Sequence, residues 1–223
     1  MSPAPSVIVF DVNETLSDMS PLAQRFTDVG APAHLAKLWF ATLLRDGFAL
    51  TVAGASRPFA ELGKAALHAV LRGVDLDRDT DAAVDHVMGG FAELPVHPDV
   101  PDGIRALRAS GRRLVTLTNG STQVSDRLLT AAGVRDAFEA LLSVEDAGAW
   151  KPARAAYEYA ARRCGTELSD MLLVAVHPWD VDGAARAGMA TAWIDRAGSP
   201  YPACFTPPTH VAAGLTDLAR QLA

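Results

Sequence analysis

Four apolar residues, Val7-Ile8-Val9-Phe10, run straight into Asp11 and the polar turn Val12-Asn13-Glu14-Thr15. A continuous apolar run bounded by a turn is the pattern of a strand buried on both faces. After Leu16 the pattern turns helical and stays so for about 75 residues. Leu35, Leu38, Trp39, Thr42 and Leu43 recur at helical spacing in a helix opened by Ala31-Pro32. Pro58 opens a second helix, with Phe59, Leu62, Ala66 and Val70 on one face and Gly73 as its stop. A third, over 82–93, carries Val84, Val87, Met88 and Phe91. Three helices with no strand between them, closed by Pro95 and Pro98, predict a helical insertion.

From Pro101 helix and strand alternate. Strands are expected at 113–117, 140–144, 171–176 and 190–194. The helices between and after them are expected at 104–108, 123–132, 153–164, from the turn at 177–180 to Ala187, and at 214–222, several stopped by glycine. This rhythm predicts an α/β fold with a mainly parallel sheet covered on both faces. In such a sheet the loops after the strands share one edge, where ligands bind. Asp11, Thr118-Asn119, Lys151 and Trp179-Asp180 all belong to those loops. A helical unit inserted after the first strand would lie over the same edge as a lid.

Composition narrows the partners. The 223 residues carry 20 basic and 26 acidic side chains, net −6, which disfavours nucleic acid and anionic membrane surfaces. No apolar run approaches the ~18 residues of a membrane span. Cys164 and Cys204 have neither CxxC spacing nor a nearby His. They read as small buried residues of a reducing compartment, so a cytoplasmic protein without disulfides is expected.

The residue types at the shared edge support covalent chemistry. Asp11 is a nucleophile candidate: a carboxylate can form an ester or acyl phosphate and split one difficult step into two. Thr15 can hydrogen-bond that carboxylate. Thr118 and Asn119 end a strand and are expected to begin a helix, where free backbone amides bind an anion. Lys151 can balance Asp11, with Asp180 opposite it or activating a water. Plain structural roles also fit: Asp11, Thr118-Asn119 and Asp180 as helix caps, and Lys151 as a solvated side chain.

Four stretches, in order, resemble the motifs of the haloacid dehalogenase superfamily. They are Asp11-Val12-Asn13-Glu14-Thr15-Leu16, Leu117-Thr118-Asn119-Gly120, Lys151-Pro152, and Trp179-Asp180 before Gly183-Ala184-Ala185-Arg186-Ala187-Gly188. Within the superfamily the chain is most similar to the type II L-2-haloacid dehalogenases. The resemblance implies a Rossmann-like core of residues 1–16 and 97–223 with a helical cap of 17–96. It implies metal-free, cofactor-free hydrolysis of a small haloacid through an Asp11 ester, and a homodimer. Asp11, Thr15, Lys151 and Asp180 match the family's catalytic positions. Val12, Phe40, Thr118, Asn119, Tyr157, His177 and Trp179 match positions near its substrate.

The departures are as informative. The superfamily's phosphatases carry a second Asp where this chain has Asn13, and a further metal-binding acid where it has Val176. Asp182 is a spare acid, about 200° round a helix from Asp180. The dehalogenases place an Arg where Phe40 stands, beside Trp39, and Arg45 is turned away on the same helix. They commonly carry Ser and Asn where this chain has Ala175 and His177. The expectation is therefore a slow dehalogenase with Phe40 beside Trp179, and with Phe40 and Trp39 covering an apolar substrate tail. Two alternatives stay open: a magnesium-dependent phosphohydrolase using Asp180 and Asp182, and a binding protein that has lost turnover. His177 stands open between a site donor and an inert turn residue.

Overall fold

In the computed structural model, which describes residues 5–223, the chain begins with β1, Val7–Phe10. Four helices follow: α1 (Leu22–Thr27), α2 (Leu35–Val52), α3 (Phe59–Val70) and α4 (Thr80–Ala92). Alternation then sets in, with α5 (Val100–Ala109), β2 (Arg113–Thr118), α6 (Thr122–Ala131), β3 (Ala140–Ser143), the single-turn α7 (Val144–Ala147) and α8 (Arg154–Cys164). β4 (Met171–Ala175), α9 (Pro178–Ala187), β5 (Ala190–Ile194), β6 (His210–Ala212) and α10 (Leu215–Gln221) complete it.

The six strands form one parallel sheet in the order β3-β2-β1-β4-β5-β6. The chain fills the sheet outward from β1 on one side, then returns to β4 and fills the other. The order therefore reverses between β1 and β4, and a crevice opens beyond their carboxyl ends. β1 is fully buried, as its unbroken apolar run requires. Val7 and Val9 enter the core shared with the inserted helices, while Ile8 and Phe10 enter the opposite one with Ile104, Leu107, Leu215 and Leu218. Alternation turns the next side chain, Asp11, toward the inserted helices.

Those helices are attached through two facing linkers. Ser17 and Val96 form an antiparallel bridge; Asp18 N donates to Pro95 O (2.8 Å) and His97 N to Leu16 O (3.0 Å). Trp39 packs on Phe26 and Phe91, and its indole N–H donates to Gly63 O (2.9 Å). Gly47 of α2 lies against the Trp150 indole, where a Cβ would stand 2.4 Å from a ring carbon. The insertion is thus seated on the loop that carries Lys151.

Several expectations are corrected. The insertion has four helices: α1, six residues long with only Leu22 and Phe26 buried, is too short to show periodicity. α2 starts at Leu35, after a turn at 32–34, and Leu38 is exposed because its side chain falls on the solvent face. The sheet gains β6, three residues without an apolar run, paired along β5. Cys164 is buried, but Cys204 lies exposed in the long 195–209 connection. No helix of the described residues is long and apolar enough to cross a membrane.

Candidate active site

The crevice between β1 and β4 holds a buried line of charge. Lys151 Nζ donates to Asp11 Oδ1 (2.8 Å) and to Asp180 Oδ2 (2.6 Å). Lys151 and Asp180 are 0 % exposed and Asp11 3 %. Unpaired, such charges would cost several kcal/mol each, so each must be matched by a partner. Thr15 Oγ1 donates to Asp11 Oδ2 (2.6 Å) and accepts from Val176 N (3.0 Å), tying the turn after β1 to the end of β4. Asp11 N donates to Val174 O, so the carboxylate hangs from a backbone fixed in the sheet.

The supports reach outward from this line. The Tyr157 hydroxyl donates to Asp180 Oδ1 (2.6 Å) and lies 3.1 Å from Asp180 O. The Asn119 amide brackets the Lys151 backbone: Lys151 N donates to Asn119 Oδ1 (3.0 Å), and Asn119 Nδ2 donates to Lys151 O (3.4 Å). Thr118 Oγ1 accepts from Gly120 N (2.9 Å) and shapes that turn. Thr118 ends β2 and Asn119 lies in the turn before α6, which begins at Thr122 behind a Ser121 cap that accepts from Val124 N. Both 118 and 119 side chains are spent inside the protein.

His177 is where sequence reasoning stopped short. Its ring lies between two carboxylates, Nδ1 at 3.1 Å from Asp11 Oδ2 and Nε2 at 2.8 Å from Glu14 Oε2. With an acceptor on each nitrogen the ring is an imidazolium, a donor at both ends. The ring stacks on Trp179 (centroids 4.9 Å) and stands 6.3 Å from Phe40. Phe40 therefore neighbours His177 rather than Trp179, whose other aromatic contact is Phe48 at 5.0 Å. Trp39 cannot cover a substrate, since it is fully buried among the inserted helices. Val12 is also buried, under the turn. Glu14, which appeared only as a letter within the first motif, has φ 61°, among the described residues the one non-glycine in that region.

The charge states follow from the contacts. Burial alone would raise Asp11, but Lys151 and His177 together hold its carboxyl well below the usual range, ionised and nucleophilic. Burial would lower Lys151, yet the two carboxylates keep it raised and charged. Asp180 is pushed up by burial and by the Asp11 charge, against the pull of Lys151 and Tyr157. The Tyr157 phenol is driven far up, by burial first and then by Asp180, so it stays a neutral donor. Burial works against the His177 charge, but its bonds to Asp11 and Glu14 raise it to about 9. Asp182 faces away, accepting from Arg186 Nε (2.8 Å) and Thr206 N (2.8 Å).

The chain as a whole is similar to known proteins. A family model described as haloacid dehalogenase-like hydrolase matches residues 5–188. The (S)-2-haloacid dehalogenase of Pseudomonas sp. (strain YL) is 31% identical over 87% of this chain and 84% of its own. Haloacetate dehalogenase H-2 of Moraxella sp. (strain B) is 32% identical over 86% of each chain. A crystal structure of a dehalogenase with an intermediate complex superposes with a TM-score of 0.92 at 28% identity, covering 100% of this chain and 99% of that one.

Proposed function

Starting from the fact that this chain belongs to the haloacid dehalogenase-like hydrolases, we propose that it hydrolyses the carbon–halogen bond of a small 2-haloacid through an ester on Asp11. The observation that carries this reading is the Asp11 carboxylate itself: buried, held ionised by Lys151, and fixed in direction by Thr15 and the backbone of β4. Its relatives of Pseudomonas and Moraxella are a haloacid and a haloacetate dehalogenase.

Chemistry proceeds in two displacements. Asp11 attacks the halogenated carbon; a C–O bond forms as the C–halogen bond breaks and the halide leaves with the bonding pair. Water then adds to the Asp11 carbonyl carbon, the ester C–O bond of that carbonyl cleaves, and the 2-hydroxy acid departs. Asp11 retains one oxygen from water. Lys151, oriented by Asp180 and Asn119, holds the charge of Asp11 before attack and that of the tetrahedral adduct afterwards. Tyr157 acts through Asp180 as a positioning residue. The helices of residues 17–96 serve as the cap, with Phe40 and Trp179 against the site through His177.

Two features support a reading without a divalent cation. Asn13 and Val176 stand where the superfamily's phosphatases carry acids, whereas magnesium relies on carboxylate oxygens, and the Lys151 ammonium already bridges the Asp11 and Asp180 carboxylates. The test measures halide release from 2-chloro- and 2-bromopropionate with excess chelator, beside phosphate release from a phosphomonoester with magnesium. Chelator-resistant halide release is expected. Magnesium-dependent phosphate release with no halide from any 2-haloacid overturns the reading.

A further inference from the structure

A cleft of about 650 Å³ opens beside the site, with the inserted helices on one wall and the sheet edge on the other. Met19, Leu22, Ala36, Phe40 and Leu44 give it an apolar lining. Glu14 and His177 border it, with Lys37, His97 and Arg196 as further basic lining and Asp18 as a second acid. Arg196 is engaged by Asp99 and Thr15 O, and His97 by Glu14 O, so the His177 ring edge and Lys37 are the basic groups that a small anion with a short carbon tail would meet beside the apolar wall.

Two facts single out Glu14. Its carboxylate binds His177 Nε2 at 2.8 Å, yet its side chain is 45% exposed while the His177 side chain is 11%. Its backbone sits at φ 61°, a conformation that costs a residue with a Cβ of order 1–3 kcal/mol. His97 Nε2 donates to Glu14 O (2.9 Å) and Glu14 N donates to Ser17 Oγ (3.2 Å), so the strained turn is held by neighbours while the carboxylate end meets solvent. The two partners of the imidazolium thus differ in kind. Asp11 is fixed and buried, and Glu14 can swing into water.

We propose that the outer edge of His177 is a docking site for the substrate's carboxylate, closed at rest by the protein's own Glu14, and that the acid enters by exchanging with it. One carboxylate replaces another on Nε2, so the charge of the pair does not change and the buried line through Asp11, Lys151 and Asp180 is undisturbed. The occupant is a small monocarboxylate whose carbon tail lies toward Phe40 and Leu44. The remaining path to Asp11 is one imidazole width, because Nδ1 of the same ring touches Asp11 Oδ2. The raised pKa of the ring, about 9, keeps the docking charge present at neutral pH. This assignment rests on the dehalogenase reading for its substrate class but not for its geometry.

The test reads binding rather than turnover. Propionate, which carries no leaving group, is titrated into the full chain near pH 6, where even an unperturbed imidazole is largely protonated. The His177 ring resonances, assigned through His177→Asn, are followed. In the wild type propionate shifts them. Glu14→Gly, which suits the left-handed turn, and Glu14→Gln, which keeps the side-chain shape, each tighten propionate about tenfold, the worth of one charge-assisted hydrogen bond no longer competed for. An unmoved His177 signal in the wild type, or propionate binding equal or weaker in both variants, overturns the exchange. Exchange without halide release from any 2-haloacid refutes the dehalogenase reading alone. Halide release without exchange refutes only the docking site.

Discussion

Tyr157→Phe removes one hydroxyl and leaves the ring in place. That hydroxyl donates to Asp180 Oδ1 at 2.6 Å, and both residues are 0 % exposed, so no solvent replaces it. A hydrogen bond to a charged group contributes about 1.5–3 kcal/mol. Lys151 Nζ remains on Asp180 Oδ2 and keeps part of the stabilisation, so a loss of about 2 kcal/mol is expected, near the lower half of that range. In a protein of this length that lowers Tm by roughly 4–8 °C. The hydroxyl faces Asp180 rather than the cleft, so the loosened carboxylate holds Lys151 less firmly and kcat falls while KM stays constant. Urea unfolding at neutral pH and steady-state halide release measure both effects. A loss below about 0.5 kcal/mol, the scale of an ordinary surface change, refutes the support role. So does a raised KM with unchanged kcat, which places the hydroxyl on the substrate.

Three further outcomes follow from the same contacts. His177 has a folded pKa of about 9 against 6.5 unfolded, so its stabilisation is complete below about pH 6.5 and is lost as pH rises through 9. Allowing for the half-exposed Glu14, unfolding free energy falls by on the order of 2 kcal/mol across that window, and His177→Asn flattens the profile; an unchanged slope in the variant refutes the pairing. Lys151→Met leaves Asp11 and Asp180 facing each other without a cation between them, a loss of about 3–5 kcal/mol; stability measured by denaturation then rises as pH is lowered and one carboxylate protonates. Gly47→Ala drives a methyl into the Trp150 indole, itself stacked on Phe59 and unable to yield; calorimetry is expected to show about 1–3 kcal/mol lost.

The catalytic line was legible because each member stands at an element boundary that the sequence marks. Asp11 ends an apolar run, Lys151 precedes Pro152, and Asp180 lies in the turn after the strand at 171–176, so a parallel sheet alone brings them to one edge. Their supports were less legible because they depend on which way a side chain turns. Tyr157 matches a position near the site, and which site residue its hydroxyl meets, Asp180, follows from the pitch of α8 rather than from the sequence. The position of Asn119 at a strand end points to its backbone amide, and nothing in that position announces that its side chain also brackets Lys151. Glu14 was invisible: a left-handed turn residue announces itself when it is Gly or Asn and not when it is Glu. Without Glu14 in place, His177 had no second partner and its charge could not be inferred. β6 escaped for a simpler reason, since His210-Val211-Ala212 owes its pairing to β5 rather than to any pattern of its own.

The covalent role of Asp11 is tested most directly by a single turnover of a 2-haloacid in water enriched in heavy oxygen, with enzyme in excess, followed by mass analysis of the peptide containing Asp11. Attack by Asp11 takes the oxygen of the 2-hydroxy acid product from the unlabelled carboxylate, and the hydrolysing water leaves its label on Asp11. The expected result is therefore label in the Asp11 peptide and none in the first-turnover product. Label in the product with an unlabelled Asp11 means that water attacks the substrate carbon directly, and it contradicts the ester.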